Sequence, residues 1–92
     1  MYLNQIKSAL WYTECDMSTP YRAMTVQIGF SHKETKFDET EFSIEAWNVQ
    51  ELAKLFDVFC NENKFKDVHV FGLYIVRVAE TMDELVAMEE HL

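Results

Sequence analysis

Two stretches of alternating apolar and polar residues, joined by a short polar segment, constrain the fold of this chain most strongly. Residues 21–30 (YRAMTVQIGF) and residues 37–46 (FDETEFSIEA) each alternate along their length, and residues 31–36 (SHKETK) between them are polar. Because successive side chains on a strand point to opposite faces, this alternation predicts two half-buried strands. The polar segment is short enough for a hairpin loop, so we expect the strands to pair antiparallel with one face in solvent.

The clearest boundary in the sequence is the start of a helix at Asn48. Asn48 and Glu51 have the spacing of a capping box, with Asn as the N-cap residue. Trp47 and Leu52 occupy the two positions of a hydrophobic staple around the same cap. Apolar residues then recur at helical spacing, which predicts a helix over residues 49–63. The predicted buried stripe comprises Val49, Leu52, Ala53, Phe56, Phe59 and Cys60.

The next segment, residues 67–80 (DVHVFGLYIVRVAE), is apolar at both alternating sets of positions. A strand with two apolar faces is typical of the centre of a sheet, so we expect this strand to be central and covered on both sides. If it runs parallel to the strand before the helix, the connection should be a right-handed crossover. Thr81 and Glu84 then form a second capping-box pattern, which predicts a short helix at the end of the chain.

The first segment of the chain fits two structures. Leu3, Ile6 and Leu10 have helical spacing, whereas residues 9–15 (ALWYTEC) suit a strand. We expect a strand over residues 6–15, with a helix over residues 2–12 as the alternative. The resulting order is β-β-β-α-β-α, an α+β fold with a mostly antiparallel four-stranded sheet and two helices, in a single domain over residues 1–92.

Composition and charge limit the function classes. The chain is 49% apolar and 14% aromatic, which indicates a folded domain with a core. Its 16 acidic and 8 basic residues give a net charge of −8. Nucleic-acid binding normally requires a basic surface, so we expect neither nucleic acid nor an anionic membrane as a direct partner. The sequence has no pattern of a signal peptide or membrane span, and we expect a cytoplasmic protein.

Residues that could carry chemistry are scattered. The three histidines, at positions 32, 69 and 91, do not have the spacing of a metal site. Cys60 lies on the inward stripe of its helix, where a buried thiol is inert, and the thiolate of Cys15 is disfavoured by its acidic neighbours. We therefore expect no enzymatic activity, no metal and no cofactor.

Two isolated glycines, Gly29 and Gly72, each lie inside a strand pattern. A phosphate-binding loop needs several glycines at the start of a helix, and neither position has this context. A β-bulge or a close packing contact is the expected reason for each glycine.

The second predicted strand carries three glutamates, Glu39, Glu41 and Glu45, on one face, with Asp38 beside them. One interpretation is a solvated face whose charge keeps the sheet edge from pairing with other chains. The other is a surface that binds a basic partner, because a face of one charge sign attracts the opposite sign. Threonine or glutamine would keep a sheet face soluble without repulsion between neighbouring carboxylates.

Aromatic residues near the N-terminus are further candidates for partner binding, because Trp and Tyr are enriched at binding hot spots. They are Trp11, Tyr12 and Tyr21. The sequence thus predicts a small acidic module that binds another protein, and a sharper hypothesis is an inhibitor that occupies a basic, nucleic-acid-handling surface, as phage-type inhibitors do. The alternative is a structural domain that forms a homodimer through a sheet edge or these aromatic residues.

Overall fold

The computed structural model of the protein describes residues 2–11 and 22–90. These residues form an α+β fold with an antiparallel sheet, as predicted, but the sheet has three strands and there are three helices. The elements are α1 (Leu3–Trp11), β1 (Ala23–His32), β2 (Thr35–Glu45), α2 (Val49–Glu62), β3 (His69–Ala79) and α3 (Met82–Glu90).

The first element is a helix, so the predicted strand over residues 6–15 is wrong up to residue 11, and its remaining positions lie outside the described residues. Ile6 is fully buried, and Leu3 and Ala9 pack against the same core. These positions are three residues apart and so share one face of a helix. Burial of this stripe outweighs the strand preference of the aromatic residues that follow it.

The hairpin of β1 and β2 has the predicted antiparallel pairing, with Ala23 opposite Glu45 and Phe30 opposite Asp38. Its turn is shorter than the predicted loop over residues 31–36. The strands continue until His32 pairs with Thr35, which leaves only Lys33 and Glu34 in the turn. Turn residues and strand residues are both polar here, so composition alone does not mark the boundary.

The strand order is β2-β1-β3, and β3 pairs antiparallel with β1. The central strand is therefore β1, and the prediction of a central strand over residues 67–80 is wrong. Because β2 and β3 are both antiparallel to β1, they run parallel to each other, as the predicted crossover through α2 requires, and its right-handedness stays a prediction. Register shifts in the β1–β3 pairing leave Phe71 and Val76 without a partner in β1. A bulge moves the side-chain alternation by one residue, so apolar residues at both alternating sets of positions reach the same face. The β3 residues opposite Phe30, Ile28, Val26 and Met24 are Val70, Leu73, Ile75 and Val78.

One face of the sheet is closed by α1 and α2, whose apolar stripes meet the inward residues of β1 in one core. Phe30 and Phe56, both fully buried, pack edge to face with ring centroids 5.2 Å apart. Asn48 is confirmed as the N-cap of α2, because its Oδ1 accepts a hydrogen bond from the Glu51 amide at 3.1 Å. The Glu51 carboxylate accepts from the side-chain Nδ2 of Asn48 rather than from its backbone amide, so the second bond of a capping box is replaced.

Helix α3 lies on the opposite face of the sheet. Its predicted cap is confirmed as well, since Thr81 Oγ1 accepts from the Glu84 amide at 3.2 Å. Leu85 of α3 is fully buried against Ala23 and Ala79. The small side chains of these two alanines let the helix approach the strands closely.

Candidate functional site

We call the sheet face opposite α1 and α2 the second face. Paired residues of antiparallel strands point to the same side of a sheet, so the register defines rows of residues across this face. Each row takes one residue from β2, one from β1 and one from β3. From the α3 end, the rows are Glu45, Ala23 and Ala79; Ser43, Thr25 and Arg77; Glu41, Gln27 and Tyr74; and Glu39, Gly29 and Gly72.

The first two rows are covered by α3: Leu85 packs on the alanines of the first row, and a polar network centred on Glu89 covers the second. The Glu89 carboxylate accepts hydrogen bonds from Ser43 Oγ and from Thr25 Oγ1, the latter at 2.9 Å. These bonds, first that from Ser43 and then that from Thr25, together with the charge of Arg77, lower the pKa of Glu89. Arg77 Nη2 lies 3.9 Å from Glu89 Oε1 and 3.1 Å from Glu41 Oε2. This half of the second face serves to hold α3 on the sheet.

The other half of the second face is not covered by a described helix, and we call it the open half. Three aromatic rings lie there with about half of their surface in solvent: Phe37 is 56% exposed, Phe71 50% and Tyr74 51%. The rings of Phe37 and Phe71 are in contact, with centroids 5.4 Å apart. Single exposed apolar residues are common on protein surfaces, but neighbouring ones that form a patch mark interaction sites more often. The open half consists of Gln27, Gly29, Phe37, Glu39, Glu41, Phe71, Gly72 and Tyr74.

The two glycines explain how the rings lie so close to the backbone. A Cβ atom on Gly29 would lie 3.2 Å from the ring of Phe71, 3.6 Å from that of Tyr74 and 3.7 Å from that of Phe37. A Cβ atom on Gly72 would lie 2.7 Å from the Tyr74 hydroxyl oxygen. Gly29 and Gly72 are opposite each other next to a bulge. The expectation of a bulge or a close packing contact is therefore confirmed for both residues.

The predicted acidic residues separate into three environments. Glu39, Glu41 and Glu45 are exposed on the second face, but Glu45 belongs to the half that carries α3. Glu39 and Glu41 lie in the open half, where Glu41 pairs with Arg77 and the Glu39 side chain has no bonded partner among the described residues. Asp38 points to the other side of the sheet, where its Oδ2 lies 3.5 Å from Nε2 of His32.

The aromatic candidates near the N-terminus are not brought into this site. Trp11 is the last residue of α1, and Tyr12 and Tyr21 lie outside the described residues. The sequence prediction missed Phe71 and Tyr74 because it placed them on opposite faces of a buried strand. The bulge at Phe71 brings both to the second face. The prediction passed over Phe37, although Phe37 is in the same alternating set of β2 as Glu39 and Glu41. A glycine opposite another glycine, with aromatic residues close by in both strands, is the signal that could have found them.

Groups suited to covalent or metal chemistry are not assembled in the described part of the chain. Burial, with a contribution from the charge of Asp57, raises the pKa of the Cys60 thiol to about 11, so this thiol is protonated at neutral pH. The ring of His32 stacks on Phe65 with centroids 4.1 Å apart, and its Nδ1 accepts from the Glu34 amide at 3.4 Å. Residues 2–11 and 22–90 contain no group of three acidic, histidine or cysteine side chains that could hold a metal ion.

Comparison with protein-family models, with curated proteins and with solved structures finds no match to this chain. Among its described helices, none is long and apolar enough to cross a membrane. The function of the protein is therefore inferred from its own residues, and the open half of the second face combines exposed carboxylates with half-exposed aromatic rings.

Proposed function

We propose that the protein is a small acidic protein-binding domain, without chemistry of its own, that binds a basic surface of another protein through the open half. One observation carries this proposal: exposed carboxylates and half-exposed aromatic rings occupy the same uncovered part of one sheet face. Aromatic residues are the side chains most enriched at binding hot spots, and carboxylates select a basic partner.

The competing explanation is that the acidic residues only protect β2, which is an edge strand, from pairing with other chains. Charge on β2 is sufficient for that purpose. Exposed rings on the neighbouring surface are not needed for it, and they carry a cost in solubility. The combination of Glu39 and Glu41 with Phe37, Phe71 and Tyr74 thus favours a binding surface over a merely solvated one.

A sharper form of the proposal concerns what the partner normally does. A basic protein surface large enough to bind an acidic domain is most often one that handles nucleic acid, since phosphates require such surfaces. A domain with a net charge of −8 would compete with nucleic acid for that surface and act as an inhibitor. In this form the carboxylates of β2 take the place of phosphate groups.

A pull-down from a lysate tests the proposal with matched variants. We expect the native protein to retain a basic partner, the acidic-face variant to lose it, and the control variant with the same charge to retain it. The acidic-face variant carries Glu39→Gln, Glu41→Gln and Glu45→Gln. The control variant carries Glu62→Gln, Glu80→Gln and Glu90→Gln, all at exposed positions outside β2.

The same pull-down is carried out at two salt concentrations. Raising the ionic strength from about 0.05 M to about 0.3 M screens exposed charges, so the native complex should weaken. Equal retention of the partner by all three proteins, at both salt concentrations, would mean that the acidic face is only solvated and that the proposal is wrong.

A second candidate function is self-association through β3. The specific observation is that β3 is also an edge strand and exposes Val76 and Val78, at 39% and 40%. Such an edge can pair with the same strand of a second copy. Light scattering at micromolar concentration separates the two candidates, because a monomer excludes the homodimer.

A further inference from the structure

We infer that the open half is specific for arginine: its rings bind the guanidinium groups of a basic protein segment while Glu39 and Glu41 neutralise their charge. This inference rests on the proposed function and deepens it, since it names the side chain that the surface selects. It is based on the positions of the three rings and two carboxylates of the open half and of the two glycines beneath the rings.

The rings form one continuous surface. Atoms of all three rings lie within 3.7 Å of a single point, the Cβ position that Gly29 lacks. Phe37 comes from β2 and the other two rings from β3, so the rings span the width of the sheet above β1. A cation within about 6 Å of a ring centroid is attracted by the negative face of the ring. The ring edges converge over Gly29, and about half of the surface of each ring is in solvent, so a cation on the outer side of the rings can approach more than one of them.

The carboxylates lie next to this surface on the same face. Glu41, Gln27 and Tyr74 form one row, and neighbouring strands are about 4.8 Å apart, so Glu41 and Tyr74 are separated by roughly 10 Å at their Cα atoms. Glu39 is in the adjacent row with the two glycines. A long, flexible basic side chain can place its charge between the carboxylates and the rings.

One carboxylate of this surface is already paired with an arginine of the chain itself. Arg77 Nη2 lies 3.1 Å from Oε2 of Glu41 at the border of the open half. Glu41 is thus positioned to accept a hydrogen bond from a guanidinium group. The side chain of Glu39, two residues away on the same strand face, makes no such contact with a described residue. It is the carboxylate available to an arginine from a partner.

Arginine fits this surface better than the other occupants considered. Its planar guanidinium group is weakly hydrated, stacks on aromatic rings and forms paired hydrogen bonds with carboxylates, whereas the lysine ammonium group is compact and strongly hydrated. A purely apolar partner would bury Glu39 without a counter-charge. A second copy of the chain would bring its own Glu39 and Glu41 against the first, and the like charges would repel.

Two peptides of equal charge test the inference: alternating Gly-Arg and alternating Gly-Lys repeats of the same length. Each is titrated into isotope-labelled protein, and amide shifts are followed by nuclear magnetic resonance. We expect the arginine peptide to bind at least about threefold more tightly, the effect of one to two exposed cation–π contacts. The largest shifts should occur at Gly29, Gly72 and Tyr74.

A ring variant with Phe37→Leu, Phe71→Leu and Tyr74→Leu keeps apolar side chains and every charge. It should bind both peptides with the affinity that the native protein has for the lysine peptide. Gly72→Ala disturbs the ring surface by a single substitution, because the added methyl group would displace the Tyr74 ring. Circular dichroism verifies that each variant is folded, and Gly72→Ala should lower the preference for arginine even if the ring variant does not fold.

The outcomes separate this inference from the proposed function. Equal affinity of the native protein for both peptides, or a ring variant that still prefers arginine, overturns the arginine specificity. In that case the proposed function stands if the Glu39→Gln, Glu41→Gln, Glu45→Gln variant loses both peptides. If that variant binds both peptides as the native protein does, or if no shifts occur in the open half, both the inference and the proposed function are wrong.

Discussion

Thr25 is buried in the middle of the sheet, and its hydroxyl group lies between Ser43 and Glu89. A buried hydroxyl without a hydrogen-bond partner costs about 1–3 kcal/mol. The Thr25 hydroxyl has two partners, Ser43 Oγ at 3.0 Å on the neighbouring strand and the Glu89 carboxylate of α3. The end of α3 is thus tied to the sheet by a charged group rather than by apolar packing. Because Glu89 titrates, the attachment of α3 to the sheet depends on pH.

The pH dependence follows from the lowered pKa of Glu89, caused first by its hydrogen bonds from Ser43 and Thr25. In the unfolded chain this carboxyl should titrate near the ordinary glutamate value of about 4.3. The stability that it contributes is therefore present in full above that pH and is lost as pH falls through the lower pKa of the folded state. We expect Glu89→Gln to lower the thermal unfolding midpoint at pH 7, and the difference from the native protein to shrink below about pH 4.

The neighbouring residue supplies the control for this measurement. Glu90 is exposed on the same helix, so Glu90→Gln should leave the midpoint close to native at every pH. A Glu89→Gln variant that is destabilised by the same amount at pH 7 and pH 3 would contradict the role of the charge. The destabilisation would then come from the shape or the hydrogen bonding of the Glu89 side chain and not from its charge.

At the scale of elements, α2 is the helix with the best-defined start. Its N-cap residue Asn48 satisfies the amide of Glu51, and removal of such a cap typically costs about 1 kcal/mol. We expect Asn48→Ala to lower the free energy of unfolding in urea by about that amount. Asn61→Ala, the same substitution at an exposed position within the helix, should be neutral or slightly stabilising. Equal destabilisation by both changes would mean that the cap contributes nothing.

The elements that could be predicted from the sequence are those specified by local chemistry. Both helix caps and the β1–β2 hairpin follow from short-range spacing, and the structure has all of them. The prediction of a strand where α1 lies is wrong because the apolar stripe of this helix is short and aromatic residues follow it. A helix of this kind is defined by the core against which Ile6 packs, and that core is not visible in the local sequence.

The misassigned position of β3 has a different cause. Its apolar residues at both alternating sets of positions predict two buried faces only if the alternation is unbroken. Bulges at Phe71 and Val76 break it, so apolar residues of both sets reach the core and others remain in solvent. Bulges depend on how a strand pairs, which is why Phe71 and Tyr74 could not be placed on the open half from the sequence. Phe37 and the acidic face follow from the alternation of β2.

At the scale of the whole molecule, the oligomeric state is the property that distinguishes the two candidate functions. We expect a monomer, because the bulges of β3 disturb its outer edge and the Gln5 side chain already bonds to Val70 N at 2.8 Å and to Val68 O at 3.4 Å. Light scattering should give the monomer mass for the native protein and for Val76→Lys. A native dimer that Val76→Lys converts to a monomer, while the control Val58→Lys does not, would favour self-association through β3.

The central position of β1 determines how far apart in the chain the two sides of the open half lie. The β1–β2 hairpin joins neighbours in sequence and can close early, whereas β3 must arrive from far along the chain, a step that is entropically slow. The carboxylates of Glu39 and Glu41 thus belong to the part of the sheet that closes locally, whereas Phe71 and Tyr74 reach their positions only when β3 docks. A variant that weakens the docking of β3 would keep the negative charge of the open half and lose two of its three rings.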